Sequence, residues 1–470
     1  MSAVVTVNPA TGERLAEYPA FSDADVDAAL DRAAAAQAGW AELSFADRSV
    51  VLRRTAEVLR TQVEDLALLV TREMGKPLAE ARAEVEKCAT ACDYYAEHAA
   101  DFLADEPVDT SADRSWIGYE PVGVVLAVMP WNFPLWQVLR FAAPALMAGN
   151  AALLKHSPNT TGCALAVQRV LTEAGAPEGL FTALVVAEPD VPAVTRRLIE
   201  DPRIGAVTIT GSERAGRAVG SAAGDAIKKS VLELGGSDPF VVLADADLPR
   251  VAAMATRGRF LNAGQSCISP KRFVVDESIA EEFTRLLVAE VEKLTVGDPE
   301  APGTDVGPMA REDLLEGVHR QVEASVDAGA RLLTGGHWIA RPGTFYAPTV
   351  LAGVEPGQPA YDAEIFGPVA TVIVADGDDD AVRIANDTRF GLGASVWTAD
   401  PQRGIAVARR IRSGAVFVNA VVASDVRMPF GGTRASGYGR ELAAAGIREF
   451  VNVRTWWVLD EPAVTAPASE

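Results

Sequence analysis

Short β-branched segments alternate with amphipathic helical segments along most of this 470-residue chain. From residue 122 onward, each apolar run ends at a turn rich in glycine, proline or serine, and a helical pattern follows. This alternation predicts parallel sheets covered by helices. The strand candidates form two successive series, 122–129, 151–155, 181–186, 206–210 and 240–243, and then 273–275, 331–333, 370–374, 394–397 and 415–418. The sequence therefore predicts two α/β units in one chain.

The segments outside these two units carry different patterns. The first hundred residues predict helices over 23–38, 46–69 and 78–102, the first with an N-cap at Ser22. Residues 113–121 are polar and β-prone, whereas residues 450–459 form a strand rich in apolar side chains. An exposed apolar strand is an aggregation hazard unless another strand covers its edge. We therefore expect the final strand to pair with a neighbouring subunit.

The charge balance of the chain argues against two classes of partner. Asp and Glu number 64 against 43 Lys and Arg, which gives a net charge of −21. No basic excess exists to release the counterions of a nucleic acid or to bind an anionic membrane surface. The longest apolar run, 122–129, is far shorter than the ~20 residues of a spanning helix. The N-terminus also lacks the basic and apolar regions of a signal peptide. We therefore expect no nucleic acid and no membrane partner.

The four cysteines are too few and too scattered for a disulfide framework. This usage predicts a reducing, cytoplasmic location. Cys88 and Cys92 are one helical turn apart, but no nearby His or Cys pair completes a zinc site. The sequence therefore predicts no metal.

Cys267 has neighbours that suit a nucleophile. Gly264, Ser266 and Ser269 keep its surroundings small and polar, so that a substrate carbonyl can approach the sulfur. Glu233 lies in a Leu-Glu-Leu-Gly-Gly turn upstream, where a carboxylate can serve as a base. A sulfur nucleophile and a carboxylate base can form a thioester and then hydrolyse it. Glu233 also falls near the spacing of a ribose-binding acid after the Gly211 turn, but we favour the base role.

Asn132 stands between two prolines in Pro130-Trp-Asn-Phe-Pro134, directly after an apolar strand. The prolines stiffen this turn, so the side-chain amide is held in one place and can donate to a developing oxyanion. The alternative is an Asx turn, in which the side chain only bonds its own backbone.

Several short motifs occur in a fixed order along the chain. They are Pro130-Trp-Asn-Phe-Pro, Leu154-Lys-His-Ser-Pro, Thr210-Gly-Ser, Leu232-Glu-Leu-Gly-Gly, Gly264-Gln-Ser-Cys, Glu364-Ile-Phe-Gly-Pro and Pro429-Phe-Gly-Gly. Together they resemble the aldehyde dehydrogenase superfamily over nearly the whole chain. Within it, the segments around Asn132, Lys155 and Glu233 are similar to bacterial succinate-semialdehyde dehydrogenases.

The resemblance implies an α/β fold of aldehyde dehydrogenase type, with two Rossmann-like domains and a small β oligomerisation element. Residues 1–107 and 123–238 would form the cofactor-binding domain, and residues 239–440 the catalytic domain. Residues 108–122 and 441–470 would form the bridging element. A homodimer or homotetramer is expected.

The resemblance also implies roles at matching positions. Cys267 would attack the aldehyde carbon, the Asn132 side chain and the Cys267 backbone N–H would hold the oxyanion, and Glu233 would activate water. The cofactor would accept the hydride without a metal. Residues implied in binding it are Trp131, Lys155, Gly211, Ser212, Leu234, Glu364 and Phe366.

The choice of cofactor depends on the residue three positions after Lys155. NAD-preferring relatives carry a glutamate there, which repels a 2′-phosphate, whereas this chain has Pro158. His156 and Ser157 complete a neutral-to-basic environment that tolerates a phosphate. We therefore expect NADP to be preferred and NAD to be usable.

The implied substrate is succinate semialdehyde, whose far carboxylate needs a cation. Arg140 and Ser424 match the family positions for this contact, and Arg140 is expected to face the substrate channel. A second family arginine is replaced by Leu261, for which Arg259 or Arg427 are possible substitutes. The alternatives are glutarate semialdehyde or an aromatic or aliphatic aldehyde, with Trp131, Trp136 and Phe260 lining the pocket. A CoA-acylating enzyme and a non-catalytic protein are disfavoured by the intact Cys267, Glu233 and Asn132.

Overall fold

The computed structural model describes residues 3–460. Its N-terminal part is a two-stranded antiparallel ribbon followed by four helices. These elements are β1 (Ala3–Val7), β2 (Arg14–Pro19), α1 (Asp23–Ala41), α2 (Phe45–Thr61), α3 (Val63–Met74) and α4 (Leu78–Phe102). Ser22 caps α1 with a reciprocal bond to Asp25, as the sequence predicts. The single helix predicted over 46–69 is wrong, because Gln62 leaves the helical conformation and separates α2 from α3.

The first α/β unit follows a short hairpin made of β3 (Glu106–Pro107) and β4 (Arg114–Pro121). Its strands run parallel in the order β9-β8-β5-β6-β7. The elements are β5 (Val124–Met129), α5 (Trp136–Met147), β6 (Ala151–His156), α6 (Thr161–Glu173), β7 (Phe181–Leu184), α7 (Val191–Glu200), β8 (Ile204–Thr210), α8 (Glu213–Asp225) and β9 (Lys229–Glu233). The strand order reverses at β5, and ligands of such sheets bind at the carboxyl ends beside this reversal.

The second α/β unit has a seven-stranded sheet in the order β12-β13-β14-β11-β10-β15-β16, parallel except for the edge strand β12. The elements are β10 (Pro239–Val242), α9 (Leu248–Phe260), β11 (Arg272–Asp276), α10 (Ala280–Val291), α11 (Glu312–Asp327), β12 (Arg331–Thr334), β13 (Thr349–Ala352), α12 (Pro359–Asp362), β14 (Val369–Ala375), α13 (Gly377–Asn386), β15 (Ser395–Trp397), α14 (Pro401–Ala408) and β16 (Phe417–Val418). The sequence missed β9 and β13, which are short.

The C-terminal segment returns to the earlier parts of the chain. It contains β17 (Gly437–Tyr438), α15 (Ala443–Arg448) and β18 (Val451–Val458). β17 pairs with β9, so residues 437–438 lie in the first sheet although the predicted boundary at residue 440 assigns them to the catalytic domain. β18 pairs along its whole length with β4 of the same chain, so one of its edges is covered without a neighbouring subunit. Residues 1–2 and 461–470 of the predicted domains lie outside the described residues.

The apolar cores explain how these parts are held together. One core joins α1–α6 to the first sheet, and it includes Leu30, Leu52, Val85, Leu126 and Leu154. Two further cores cover the two faces of the second sheet. Among residues 3–460, no helix is long and apolar enough to cross a membrane.

Candidate active site

The loop that carries Cys267 is held in an unusual backbone conformation. Asn262, Ala263 and Gly264 all have left-handed φ angles, of 54°, 53° and 70°. Such angles are costly for residues other than glycine, and they occur where function requires them. A Cβ on Gly264 would lie 2.2 Å from the carbonyl oxygen of Gly367, so only glycine fits there. The loop therefore departs sharply from the end of α9 and presents Cys267 between the two α/β units.

Arg259 holds this loop in place through hydrogen bonds. The side chain is fully buried, and its guanidinium donates to four carbonyl oxygens and one hydroxyl. The acceptors are the carbonyls of Gly264, Ile365, Gly367 and Val369 and the Oγ of Ser269. These contacts tie the loop to the segment after Glu364. Arg259 is thus a structural residue with no donor left for a substrate, and Arg427 pairs with Asp425 on the surface.

Cys267 opens onto a cavity of about 230 Å³, which we call the strand-end cavity. The Cys267 residue is half-buried, and burial raises the pKa of its thiol to about 11. The cations of Lys271 and Arg140 oppose this rise only in part. Lys271 lies close because its Nζ donates to the carbonyl oxygens of Ser266 at 2.8 Å and of Cys267 at 2.6 Å. The thiol is therefore protonated at neutral pH in this arrangement.

Most residues predicted to bind the cofactor line the strand-end cavity. They follow directly on the carboxyl ends of β5, β8 and β9 or on the loop before β14, and comprise Trp131, Gly211, Ser212, Leu234, Glu364 and Phe366. Trp131 and Phe366 meet edge to face at 5.8 Å between ring centroids. A carboxylate oxygen of Glu364 accepts from the backbone N–H of Gly236 at 3.0 Å. Gln137 and Leu314 also line this cavity and were missed, because no motif marks them.

Asn132 also lines this cavity, beside Cys267. Its Nδ2 donates to the carbonyl oxygen of Gln265 at 3.1 Å, and its own carbonyl oxygen accepts from the Nδ2 of Asn262 at 2.8 Å. The amide is therefore held against the loop that carries Cys267. One N–H of Nδ2 remains for an oxyanion.

Glu233 ends β9 and is buried close to the loop, but its side chain does not line the strand-end cavity. The carboxylate instead lies towards Gly431, and Oε1 has no hydrogen-bond partner among residues 3–460. Burial, and then the negative charge of Glu441, raise the pKa of Glu233 well above its usual value. Burial therefore favours the protonated form of the carboxyl group in this arrangement, and the side chain must turn towards Cys267 before it can act as a base.

Arg140 does not face a substrate channel, and this prediction is wrong. The side chain is fully buried on α5, where it forms an ion pair with Glu441 and donates to the Thr210 Oγ1 at 3.1 Å. The guanidinium also lies 4.9 Å from the ring centroid of Phe430. Arg140 shares one face of α5 with Trp136, but it lies one turn further along, where Glu441 neutralises it. The positive charge of Arg140 is thus neutralised inside the protein by Glu441.

The last two residues of β6, Lys155 and His156, differ in whether they are available to a cofactor. Lys155 is buried, and burial lowers its pKa to about 8. His156 is a structural residue, because its ring contacts the Pro134 carbonyl oxygen at 2.9 Å and the Ser157 N–H at 2.7 Å. The prediction that His156 binds the cofactor is therefore wrong. Burial lowers its pKa to about 4, so the ring is neutral at pH 7.

A separate groove of about 450 Å³ is lined by Pro158, Asn159 and Glu188. The Ser157 Oγ donates to the Oδ1 of Asn159 at 2.6 Å, which leaves the buried Nδ2 without a hydrogen-bond partner among the described residues. An unpaired buried donor is costly unless a ligand satisfies it. The Asn159 amide and the Lys155 ammonium, which is within electrostatic reach of Glu188, suit a dinucleotide with an additional phosphate.

A larger cavity of about 730 Å³ lies on the other side of the catalytic loop, and we call it the helix-lined cavity. Ser266, Ile268 and Ser269 form its floor, so the two cavities flank Cys267. Ser424 lines it, as the resemblance implies. Its other walls come mainly from α4, α5 and α9 and include Lys87, Phe133, Trp136, Met254 and Leu261. Phe260 is buried and does not line it.

Comparison with known proteins decides the family. The model of the aldehyde dehydrogenase family matches residues 2–456. The chain belongs to the aldehyde dehydrogenase family. A probable NADP-dependent succinate-semialdehyde dehydrogenase of Synechocystis is 49% identical over 97% of this chain and 100% of its own length. A succinate semialdehyde dehydrogenase of Escherichia coli K12, named for NAD(P), is 47% identical over 96% of this chain and 97% of its own.

Solved structures of this aldehyde dehydrogenase family have the same fold. A succinic semialdehyde dehydrogenase from Streptococcus pyogenes, in complex with NADP+, superposes with a TM-score of 0.94 at 36% identity. The match covers 97% of this chain and 100% of that one. The predicted fold class, of two Rossmann-like α/β units with a small additional sheet, is confirmed. Among residues 3–460, no cluster of potential ligands could hold a metal ion.

Proposed function

We propose that this aldehyde dehydrogenase oxidises succinate semialdehyde to succinate, with NADP+ as the preferred electron acceptor and NAD+ as a usable one. The position of Cys267 between two cavities carries the proposal, because the aldehyde and the cofactor must reach the sulfur from different sides. The names of the relatives from Synechocystis and Escherichia coli support the substrate and the cofactor. Pro158 supports NADP because no carboxylate stands at this position to repel a 2′-phosphate.

The proposed reaction proceeds through a covalent intermediate on Cys267. The sulfur, once deprotonated, attacks the aldehyde carbon, and the carbonyl oxygen becomes an oxyanion. The second N–H of the Asn132 amide and the backbone N–H of Cys267 stabilise this charge. When bound in the strand-end cavity, the nicotinamide supplies a hydride acceptor. Loss of hydride from the carbon leaves a thioester on Cys267.

Hydrolysis of the thioester is assigned to Glu233. Its carboxylate takes a proton from water, the water oxygen attacks the thioester carbon, and the sulfur leaves as thiolate. Glu233 does not line the strand-end cavity in the described orientation. The unpaired Oε1 supports a side chain that turns towards Cys267 during the reaction. Because the pKa of Glu233 is raised, this turn must also return the group to its ionised form.

The proposal is tested by initial rates of reduced-cofactor formation. Purified enzyme is given succinate semialdehyde or butanal, an uncharged aldehyde of equal length, each with NADP+ or NAD+. We expect a higher kcat/KM for succinate semialdehyde and for NADP+. The Cys267→Ala variant should lose at least about a thousandfold in kcat while it still binds NADP+. Equal rates for both aldehydes would assign a broad-specificity enzyme, and substantial turnover by the variant would exclude Cys267 as the nucleophile.

We also propose that the protein assembles as a homodimer or homotetramer and that it is located in the cytoplasm. β18 leaves Val453 and Trp457 exposed at 59% and 52%, and its outer edge has no strand partner among residues 3–460. A second subunit that covers this strand would remove the hazard of an exposed apolar edge. The four free cysteines support a reducing compartment. Light scattering on a size-exclusion column tests the assembly, and a monomeric mass would contradict it.

A further inference from the structure

Lys87 is a half-buried cation with no ionic partner among the described residues. It lies on α4 and lines the helix-lined cavity. Its Nζ donates to the Ser424 Oγ at 2.6 Å and lies 4.4 Å from the ring centroid of Trp136. Among residues 3–460 it takes part in no ion pair. A partly desolvated charge without a partner of opposite sign is less stable than a paired one, so this arrangement suits a site at which a ligand supplies the anion.

Asp425, whose pKa Lys87 helps to lower, pairs with Arg427. The acidic residues that line the same cavity as Lys87 are Glu80 and Glu84, and both have other partners. One carboxylate oxygen of Glu84 accepts from the backbone N–H groups of Leu135 and Trp136, and the other pairs with Lys76. Glu80 accepts from the backbone N–H of Asn262 at 2.8 Å. Neither side chain is therefore available to Lys87. Burial, followed by repulsion from Arg140, lowers the pKa of Lys87 to about 8, so at pH 7 it is a cation.

We propose that Lys87, together with Ser424, binds the far carboxylate of the aldehyde substrate. This inference rests on the proposed function, and it assigns to Lys87 the role that sequence comparison assigned to Arg140. An ammonium has three N–H donors, of which Ser424 takes one, so two remain for a carboxylate. The ring of Trp136 holds the cation from one side and stabilises it before substrate binds.

Lys87 lies on the same cavity as the two neighbours of the nucleophile proposed above. It shares the helix-lined cavity with Ser266 and Ile268, the two neighbours of Cys267. A thiolate at Cys267 would raise the pKa of Lys87, so the two groups are within electrostatic reach of each other. The other cation on the wall, Arg257, is exposed to solvent and is therefore a weaker anchor. Leu261, at the matching position of the second family arginine, has no charge.

The kinetic test compares Lys87→Met with the wild-type enzyme, each with saturating NADP+. Loss of a buried charged hydrogen bond predicts an increase in KM for succinate semialdehyde of about ten- to a hundredfold. The KM and kcat for butanal should change less than about twofold, since butanal has no carboxylate. Lys87→Arg should recover part of the affinity. Equal losses for both aldehydes would overturn the inference, because they would make Lys87 a structural residue.

A matched control and a binding measurement complete the test. Arg257→Met removes the other cation of the cavity and should change the KM for succinate semialdehyde less than about threefold; a larger change there than in Lys87→Met would overturn the assignment. Succinate should protect Cys267 from alkylation by iodoacetamide, and Lys87→Met should need about ten- to a hundredfold more succinate. Equal protection in both proteins would refute the inference. Absence of turnover with succinate semialdehyde in the wild type would instead refute the proposed function.

Discussion

The strand-end cavity and the helix-lined cavity flank the same cysteine, but their walls are built differently. Residues that directly follow β5, β8 and β9 line most of the strand-end cavity. Side chains from α4, α5 and α9, with the segment around Ser424, line the helix-lined cavity. Short motifs at the ends of parallel strands converge because the sheet aligns them. Helix side chains converge only where packing turns their faces together.

The two cations Arg140 and Lys87 illustrate this difference. Arg140 stands eight residues after Asn132, and a family position made it the expected carboxylate partner. Every residue of α5 is buried, so its apolar pattern does not reveal which face meets the cavity. Lys87 belongs to no motif and comes from a helix of the N-terminal part. Motifs therefore predict the chemistry of the strand-end cavity better than the specificity of the helix-lined cavity.

The largest expected effect concerns Glu233, which lies within electrostatic reach of Cys267. Glu233→Gln should slow hydrolysis of the thioester by about a hundred- to ten-thousandfold, because the base is lost, while hydride transfer is slowed less. Acyl-enzyme should then accumulate and be seen by intact mass spectrometry. Since burial disfavours the charged form of Glu233, the neutral amide should not lower the unfolding midpoint. Hydride transfer without detectable acyl-enzyme would count against the base role.

Arg140→Leu separates a structural cation from a substrate-binding one. The change leaves Glu441 buried without its partner beside Glu233, and it should lower the free energy of unfolding by about 3–5 kcal/mol. Denaturant unfolding measures this loss. The double variant Arg140→Leu, Glu441→Leu should recover part of it, because no unpaired charge remains. An unchanged free energy of unfolding with a raised KM for succinate semialdehyde would show instead that Arg140 binds the substrate.

Pro158→Glu tests the cofactor side of the comparison, at the separate groove that Pro158 lines. A carboxylate at this position should repel a 2′-phosphate and reduce kcat/KM for NADP+ relative to NAD+ by about ten- to a hundredfold. Initial rates with each cofactor measure the ratio. Pro158→Gln is the matched neutral control, and it should change the ratio less than the charged variant. Equal effects of Glu and Gln would assign the preference to backbone shape rather than to charge.

The smallest effect is a pH dependence confined to the helix-lined cavity. The pKa of Lys87 is lowered to about 8, so its charge is present below pH 8 and is lost above it. The KM for succinate semialdehyde should rise by up to about tenfold per unit above pH 8. The groups that act on Lys87 are Glu84, Cys88, Arg140, Cys267 and Asp425, and Glu80 lines the same cavity. Burial raises the pKa of Glu80 to about 7, so this group is already ionised where the rise is measured. Burial raises the pKa of both thiols, that of Cys267 to about 11, so both stay neutral in this range.

The matched measurement uses butanal and Lys87→Arg. The KM for butanal should not follow the rise above pH 8, since it carries no carboxylate. An arginine at position 87 stays charged throughout this range, so the rise should disappear in the variant. A rise that persists in Lys87→Arg would assign the titration to another group.

Particular residues mark how far sequence reasoning reached. The turn between two prolines around Asn132, the Gly211 turn and the Glu233 turn all lie where parallel strands end. Spacing from predicted strands was enough to bring the Asn132 and Gly211 turns near one another, whereas β9, which positions Glu233, was not predicted. The structural role of Arg259 could not be predicted, because a buried arginine that donates to carbonyl oxygens looks in sequence like any other helix arginine. His156 was misassigned for a similar reason, since its neighbours Pro134 and Thr160 come together only in the folded chain.

The sequence by itself determined the α/β class and the family, and it supplied Cys267 as the proposed nucleophile, because strand–helix alternation and the motif around Cys267 are local patterns. Only the tertiary structure decided that Glu441 neutralises Arg140, and that Lys87 stands without a counter-ion beside Ser424. The pairing of Lys87 with Ser424 joins residues 337 positions apart in the chain. Whether a buried charge is available to a ligand depends on which opposite charges packing places beside it, and no local pattern records that distance.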